Sequence, residues 1–278
     1  MESWRPILSA SARPVPTEWR DEELTAAWLG HATVLINFYG IKIITDPVLF
    51  PRCGIRLPGF TIGPKRLTAP ALRARELPKI DLVLLSHAHF DHFDMRTLHR
   101  LPHTADVITA CRTRDLLRFT WFRSKNELRW GEATEIRRRQ GAVRVTAFPV
   151  KHWGARLRHD HHRGYNGYVL ERDGHRMIFG GDTAYLDSFA KLRQHGGFEL
   201  AIMPIGAYDP WIYSHATPEQ AVAMADAAGA EHILPIHHQT FRLSAEPLRE
   251  PIARFEAALS RAPHRIALRE IGETFRLR

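Results

Sequence analysis

Short apolar runs recur along the chain, each closed by a glycine, a proline or a knot of polar residues. "TAAWLG", "TVLINF" and "IKIIT" follow one another from residue 25 to residue 45 with only turns between them, which predicts strands joined as hairpins. "DLVLLS", "DVITA", "VRVTAFPV", "YNGYVLE", "RMIFGG", "LAIMPIG", "HILPIH" and "HRIALRE" read as further strands. Helical spacing covers residues 92–101, 112–119, 187–195, 218–229 and 247–259. The fourth opens on Thr217-Pro218-Glu219, a hydroxyl cap with proline at the first helical position. Early strands form hairpins and later ones alternate with helices, so the pattern predicts sheets with helices on their outer faces. Neither a low-complexity linker nor a solenoid repeat interrupts it. We therefore expect an N-terminal arm over residues 1–20, rich in proline and without the apolar core of a signal peptide, followed by one domain over residues 21–278.

The polar clusters fall at particular places on this map. Asp46 follows "IKIIT"; His87, His89, Asp91 and His92 follow "DLVLL"; His152 follows "VRVTAFPV"; Asp182 follows "RMIFGG"; His237 follows "HILPI". Each lies just past the carboxyl end of an apolar run, the edge where α/β sheets gather their ligands. One buried histidine is ordinarily a satisfied core residue, but metal-liking groups at five strand ends argue for a shared site. His87 and His89, two apart on extended backbone, project to one side, while Asp91 and His92 start the next helix and face a second point. Two neighbouring cations fit that arrangement. Imidazole and carboxylate donors suit zinc, with manganese and iron as alternatives.

Composition narrows the setting. Of 278 residues, 44% are apolar and 25% charged, the balance of a globular chain, and no apolar run approaches the roughly 20 residues of a membrane span. Cys53 and Cys111 are the only cysteines, which excludes a disulfide framework and leads us to expect a cytoplasmic protein, with peripheral membrane attachment as the alternative. A net charge of +9 favours anions: phosphate esters, nucleic acid or an anionic lipid surface. The sharpest basic run, "RRRQGAVRV" (137–145), reads as a hairpin turn entering a strand, so nucleic acid is not the expected partner.

Two further segments carry chemistry. "LFPRCGIRLPGFTIGPKRL" (49–67) mixes Leu49, Phe50, Ile55, Leu57, Phe60 and Ile62 with Arg52, Arg56, Lys65 and Arg66. It reads either as a roof that touches lipid, cations at head groups and apolar side chains inserted, or as a loop folding back onto the core. In "RLRHDHHRGYNGY" (156–168), His159, His161 and His162 allow a third metal site, a solvated loop, or a positive rim with Arg158 and Arg163 that receives an anionic ester. The rim is the favoured reading.

The segment "HAHFDH" matches the H-x-H-x-D-H signature of the metallo-β-lactamase superfamily, and "VKHW", "GGDT" and "PIHHQTF" follow in the family's order. Within it the chain most resembles the N-acylphosphatidylethanolamine-hydrolysing phospholipase D branch, through "LGHATVLI", "TDPVLF", "GPKRL", "DLVLLSHAHFDHFD", "GGDTAY", "PIGAYDP" and "IHHQTF", spread over residues 28–241. The resemblance implies an α/β (α+β) fold, the αββα sandwich of two mixed β-sheets with helices on the outer faces, its halves meeting near residue 160. It implies two divalent ions, one on His87, His89 and His152, the other on Asp91, His92 and His237, with Asp182 between them. His238 competes for the last position, but the family pattern I-H-x-x-T-F selects His237. By the same resemblance Asp46 orients ligands through hydrogen bonds, His31 either does likewise or packs the turn, and His215 in "YSHATPEQ" protonates the leaving group; Asp182 or Asp91 is the carboxylate expected to handle the proton of the nucleophile.

What it implies for function is a metal-dependent phosphodiesterase acting on N-acyl phospholipid-like or other small anionic esters, with water activated by the ions. A lactonase similar to the L-ascorbate-phosphate lactonases is the alternative. A non-catalytic metal-binding protein is a third reading, against which the complete ligand set argues. The sequence carries no signal of oligomeric state.

Overall fold

A computed structural model describes residues 5–157 and 159–277. Its first sheet begins with β1 (Leu24–Gly30), β2 (Thr33–Phe38) and β3 (Ile41–Thr45), antiparallel neighbours in which every residue but Lys42 is buried. Strands covered on both faces need continuous apolar runs, and that is what these segments supply. A small separate hairpin follows, β4 (Ile55–Leu57) and β5 (Phe60–Ile62). Next come β6 (Leu82–Leu85), a one-turn helix α1 (Met95–Leu98), β7 (Asp106–Ala110) and β8 (Ser124–Leu128). Strands β3, β6, β7 and β8 run parallel.

The second sheet holds β9 (Ala133–Arg138), β10 (Gly141–Phe148), β11 (Gly167–Arg172), β12 (His175–Phe179), β13 (Phe198–Pro204) and β14 (Ala230–Ile236), antiparallel as far as β12 and parallel from there on. Helices α2 (Pro218–Ala228) and α3 (Glu250–Ala258) cover its outer face, where Ala221, Ala225, Ile252 and Phe255 pack with Ile178, Ala201, Met203 and Ile233. Thr217 and Gln220 close a capping box at the start of α2, and Gly229, left-handed at φ 77°, ends it. The last strand, β15 (Thr274–Leu277), returns to pair with β1 at the edge of the first sheet. The main apolar core joins the inner faces of the two sheets, with Trp28, Phe38, Leu84, Tyr168 and Phe179 among its largest members. The architecture is the expected mixed α/β sandwich.

The differences from the sequence reading have physical causes. "HRIALRE" is not a strand: Pro263 opens a single 3₁₀ turn, and only Ile266 bridges, to Ile233. Its alternating Ile266 and Leu268 are buried, but the backbone meets β14 only at that bridge. Strands β8 and β9 escaped notice because "SKNEL" and "ATEIRR" are half-exposed edge strands with too few apolar residues to show. The sheets change at residues 129–132, not near residue 160. Residues 114–117 and 187–195 form 3₁₀ turns rather than α-helices, and neither has a side-chain cap. The helix expected at 92–101 shrinks to α1, because the Asp94 carboxylate caps the backbone N–H groups of Arg96 and Thr97 and thereby fixes the start.

Candidate metal centre

Parallel strands place their carboxyl ends at one edge. In the first sheet these are the ends of β3 and β6, which lead into Asp46 and Ser86-His87. In the second they are the ends of β12 and β14, leading into Asp182 and His237. Strand β10 is antiparallel to β11 and β11 to β12, so β10 also delivers its following segment, with His152, to that edge. Gly181 makes the β12 turn workable: at φ 60°, an added Cβ would lie 2.8 Å from Ser86 Cβ and 2.9 Å from the Asn166 carbonyl oxygen.

Among the described residues four groups have ligand atoms within 4.8 Å of one another, and two of them gather most of the expected ligands: His87, His89 and His152; and His31, Asp91, His92 and His237; the others join Asp46 to His87 and His92, and Asp182 to His152 and His215. In the first, His87 Nε2 lies 2.8 Å and His152 Nε2 3.3 Å from His89 Nδ1. Asp182 stands between the groups. Its Oδ2 is 3.1 Å from His92 Nε2, 3.0 Å from His237 Nε2, 3.8 Å from His152 Nε2 and 3.9 Å from His215 Nδ1.

Hydrogen bonds behind these groups fix their orientation. Asp46, fully buried, accepts from the Ser86 backbone N–H at 2.7 Å, from Ser86 Oγ at 2.5 Å and from His92 Nδ1 at 2.7 Å. Ser86 Oγ in turn meets His87 Nδ1 at 2.8 Å, so one carboxylate aims a histidine in each group. His152 Nδ1 is paired with the Ser214 carbonyl oxygen at 3.0 Å. His31 is more than a turn-packing residue, because its Nε2 lies 2.9 Å from Asp91 Oδ2. Three residues here, His31, Asp46 and His237, hold positive φ of 56°, 34° and 67°, a conformation non-glycine residues adopt at a cost.

The donor set fits divalent ions. His92 Nε2 and His237 Nε2 are buried with no hydrogen-bond partner although each lies within 3.1 Å of Asp182 Oδ2, and Asp182 Oδ1 is likewise buried and unpartnered. Lone pairs aimed at a common point without hydrogen-bond geometry are what a cation requires. Burial holds His87 well below the usual histidine range and lowers His89 to about 3, leaving neutral rings able to ligate. Burial also opposes charge on His92 and His237, but the surrounding carboxylates, Asp182 foremost, overcome it and raise His92 strongly and His237 to about 9.

Other sequence expectations land differently. His238 stacks on Trp28, ring centroids 4.4 Å apart, and joins neither group. His215 lies beside His152 and Asp182, in reach of the centre. Burial lowers it to about 3, so the ring is neutral and offers an N–H hydrogen bond rather than a stored acid proton. His159, His161 and His162 are exposed and belong to no candidate metal group among the described residues. Arg163 cannot serve as a free rim cation, because Asp160 and Asp115 take its guanidinium at 2.7 and 2.6 Å; Arg158 falls outside the described residues. Arg66, expected at lipid head groups, is buried and donates to the carbonyls of Phe50 and Val48. Ser86 and Arg156 were not singled out by the sequence reading. The serine sits directly before the signature, which is the one signal that could have flagged it.

A cleft of about 610 Å³ opens over the centre, lined by His89, Asp91, Asp182 and His215 on its floor and by Phe90, Trp153 and Trp211 on its walls. The base of the β4–β5 hairpin, through Ile55 and Ile62, forms its outer margin.

Comparison with known proteins agrees with this geometry. A beta-lactamase superfamily domain matches residues 42–238. The N-acyl-phosphatidylethanolamine-hydrolyzing phospholipase D 1 of Caenorhabditis elegans is 34% identical over 259 residues, covering 87% of this chain and 70% of that protein. The mitochondrial N-acyl-phosphatidylethanolamine-hydrolyzing phospholipase D of Saccharomyces cerevisiae is 29% identical, over 82% of this chain and 50% of that one. Among solved structures, the isothiocyanate hydrolase from Delia radicum gut bacteria superposes with a TM-score of 0.70 at 18% identity, covering 90% of this chain and 98% of that chain.

Proposed function

Because this chain belongs to the metallo-β-lactamase superfamily and is a metal-dependent hydrolase, we propose that it is a phosphodiesterase of the phospholipase D type, acting on N-acyl phospholipid-like diesters. The observation that carries this reading is the cleft: a floor of paired ligand groups beneath predominantly apolar walls, suited to a phosphodiester with acyl chains attached. The similarity to the nematode and yeast lipases supports the same substrate class.

His87, His89 and His152 would hold one ion, Asp91, His92 and His237 the other, and Asp182 both; zinc suits the donors, manganese and iron less so. Such ions, when bound, acidify water for attack and polarise a phosphoryl oxygen. The remaining work falls to the protein. Asp91 Oδ2, held by His31 Nε2, and Asp182 Oδ1, free of hydrogen bonds, are placed to accept the proton of the attacking water. His215, neutral and unpaired at Nδ1, directs an N–H at the departing oxygen.

Access to a lipid substrate is assigned to the β4–β5 hairpin. Ile55, Leu57, Phe60 and Ile62 are all exposed, Phe60 by 59%, and Arg56 beside them is exposed too. Trp211 and Tyr213 add exposed aromatic surface across the cleft. Of the segment 49–67, Leu49 is buried against the core while Ile55, Leu57, Phe60 and Ile62 of the hairpin are exposed. An apolar tip with a cation at its base inserts into an anionic bilayer and brings head groups to the cleft.

The test uses metal-loaded protein on N-acylphosphatidylethanolamine in phosphatidylglycerol-containing vesicles, on bis(p-nitrophenyl) phosphate and on simple lactones. The proposal expects both diesters to be cleaved. It also expects Leu57→Asp with Phe60→Asp, exposed positions that do not line the cleft, to lower vesicle binding and vesicle turnover about tenfold or more, since each apolar side chain contributes roughly 1.5–3 kcal/mol on burial, while soluble diester turnover stays unchanged. Lactone cleavage without diester cleavage would move the assignment to a lactonase, and unaltered vesicle turnover in the double variant would remove the hairpin's role.

A further inference from the structure

Among the described residues, Arg156 is the sole arginine or lysine that lines the cleft over the metal centre. It is half-buried and forms no ion pair with any described residue. One nitrogen, Nη1, donates to the carbonyl oxygens of Ala88 and Phe93 at 2.9 Å each, and the guanidinium lies over the Phe90 ring, 3.9 Å from its centroid. These contacts hold the group's plane in place. Nε and Nη2 donate to nothing among the described residues, and neither is a buried orphan, so both keep solvent access on a residue that lines the cleft. Burial lowers its pKa to about 10, so it stays cationic at neutral pH.

A fixed, partly desolvated cation with two adjacent free donors is costly unless something negative completes it. Two parallel N–H groups match the paired oxygens of a phosphoryl or carboxylate group, and a guanidinium does this better than an ammonium. We propose that Arg156 is the specificity-determining residue of the cleft, taking the negatively charged oxygens of the substrate next to the metal centre. It is a described cation in the role the sequence reading gave to Arg163, whose guanidinium Asp115 and Asp160 take. The inference rests on the hydrolase reading of the cleft but not on which ester is cleaved. A neutral ester gains nothing from this group, whereas a diester monoanion gains charge-assisted bonds on a residue already positioned.

The experiment measures binding, so it needs no turnover. Metal-loaded wild type, Arg156→Met and Arg156→Lys are titrated calorimetrically with diethyl phosphate, a monoanion, and triethyl phosphate, its neutral counterpart, after metal content and melting temperature are recorded. The expected result is wild-type preference for the anion, at least about a tenfold loss of that preference in the methionine variant, a smaller loss in the lysine variant, and neutral-ester affinity unchanged in all three. Should the methionine variant shed metal by releasing the Ala88 and Phe93 carbonyls, the lysine variant decides: weaker anion binding at full metal content supports the proposal, and unchanged anion binding overturns it. Loss of metal in both variants, or equal loss for both probes, makes Arg156 a positioning residue of the ligand loop and overturns it as well. If no ester is hydrolysed while the anion preference still tracks Arg156, the proposed function fails and this assignment stands.

Discussion

Replacing Asp182 with alanine is expected to remove bound metal and turnover together. Its Oδ2 is within 3.1 Å of both His92 Nε2 and His237 Nε2, and 3.8 Å from His152 Nε2, so it reaches both histidine groups. Its Oδ1 is buried without a hydrogen-bond partner. Without it, each group keeps only its own donors and the charge balance of the centre shifts positive by one. Turnover should fall by about a thousandfold or more, the scale seen when a group that stabilises transition-state charge is lost. Metal content by mass spectrometry should fall in parallel. Asp182→Asn, close in shape but uncharged, should lose nearly as much, because the missing property is the anion. Two ions per chain with turnover intact in either variant would dismiss the bridging role.

The second large effect is expected at Asp46, which touches no ion in this account. Asp46→Ala leaves the Ser86 N–H, the Ser86 hydroxyl and His92 Nδ1 without their acceptor inside a closed interior. Losing a buried acceptor costs about 1–3 kcal/mol for each donor stranded, less where donors find each other. Loss of the group that aims a ligand typically weakens metal affinity or activity about 10–100-fold. Because His87 and His92 sit in different groups, affinity for both ions should drop, measured by competition with a chromophoric chelator. Asp46→Asn keeps one acceptor but turns an NH₂ toward a neighbouring donor, so an intermediate loss is expected. Unchanged affinity for either ion would show that the Asp46–Ser86–His87 chain does not reach it.

How much of this could be read from the chain follows from what each signal depends on. The strands that carry the centre were legible because burial on both faces forces continuous apolar runs, as in "IKIIT" and "DLVLL", and the polar residues after them stood out against that background. The half-exposed edge strands β8 and β9 carried no such contrast. The ligand residues were legible through their types and spacing. Ser86 and Arg156 were not, because a serine and an arginine gain their meaning from partners distant in sequence: Asp46 for the one, the Ala88 and Phe93 carbonyls and the Phe90 ring for the other. Arg163 shows the converse. In sequence it looked like a free cation next to histidines, yet Asp115, forty-eight positions away, takes it. Exposure divided the 49–67 segment in the same manner, turning Leu49 and Arg66 inward and Phe60 and Ile62 outward.

The most direct measurement is anomalous diffraction from crystals of the metal-loaded protein. This account predicts two peaks about 3.5–4 Å apart, one among His87, His89 and His152, the other among Asp91, His92 and His237, with the Asp182 carboxylate between them. A single peak, or peaks at the exposed His159, His161 and His162 instead, would contradict it.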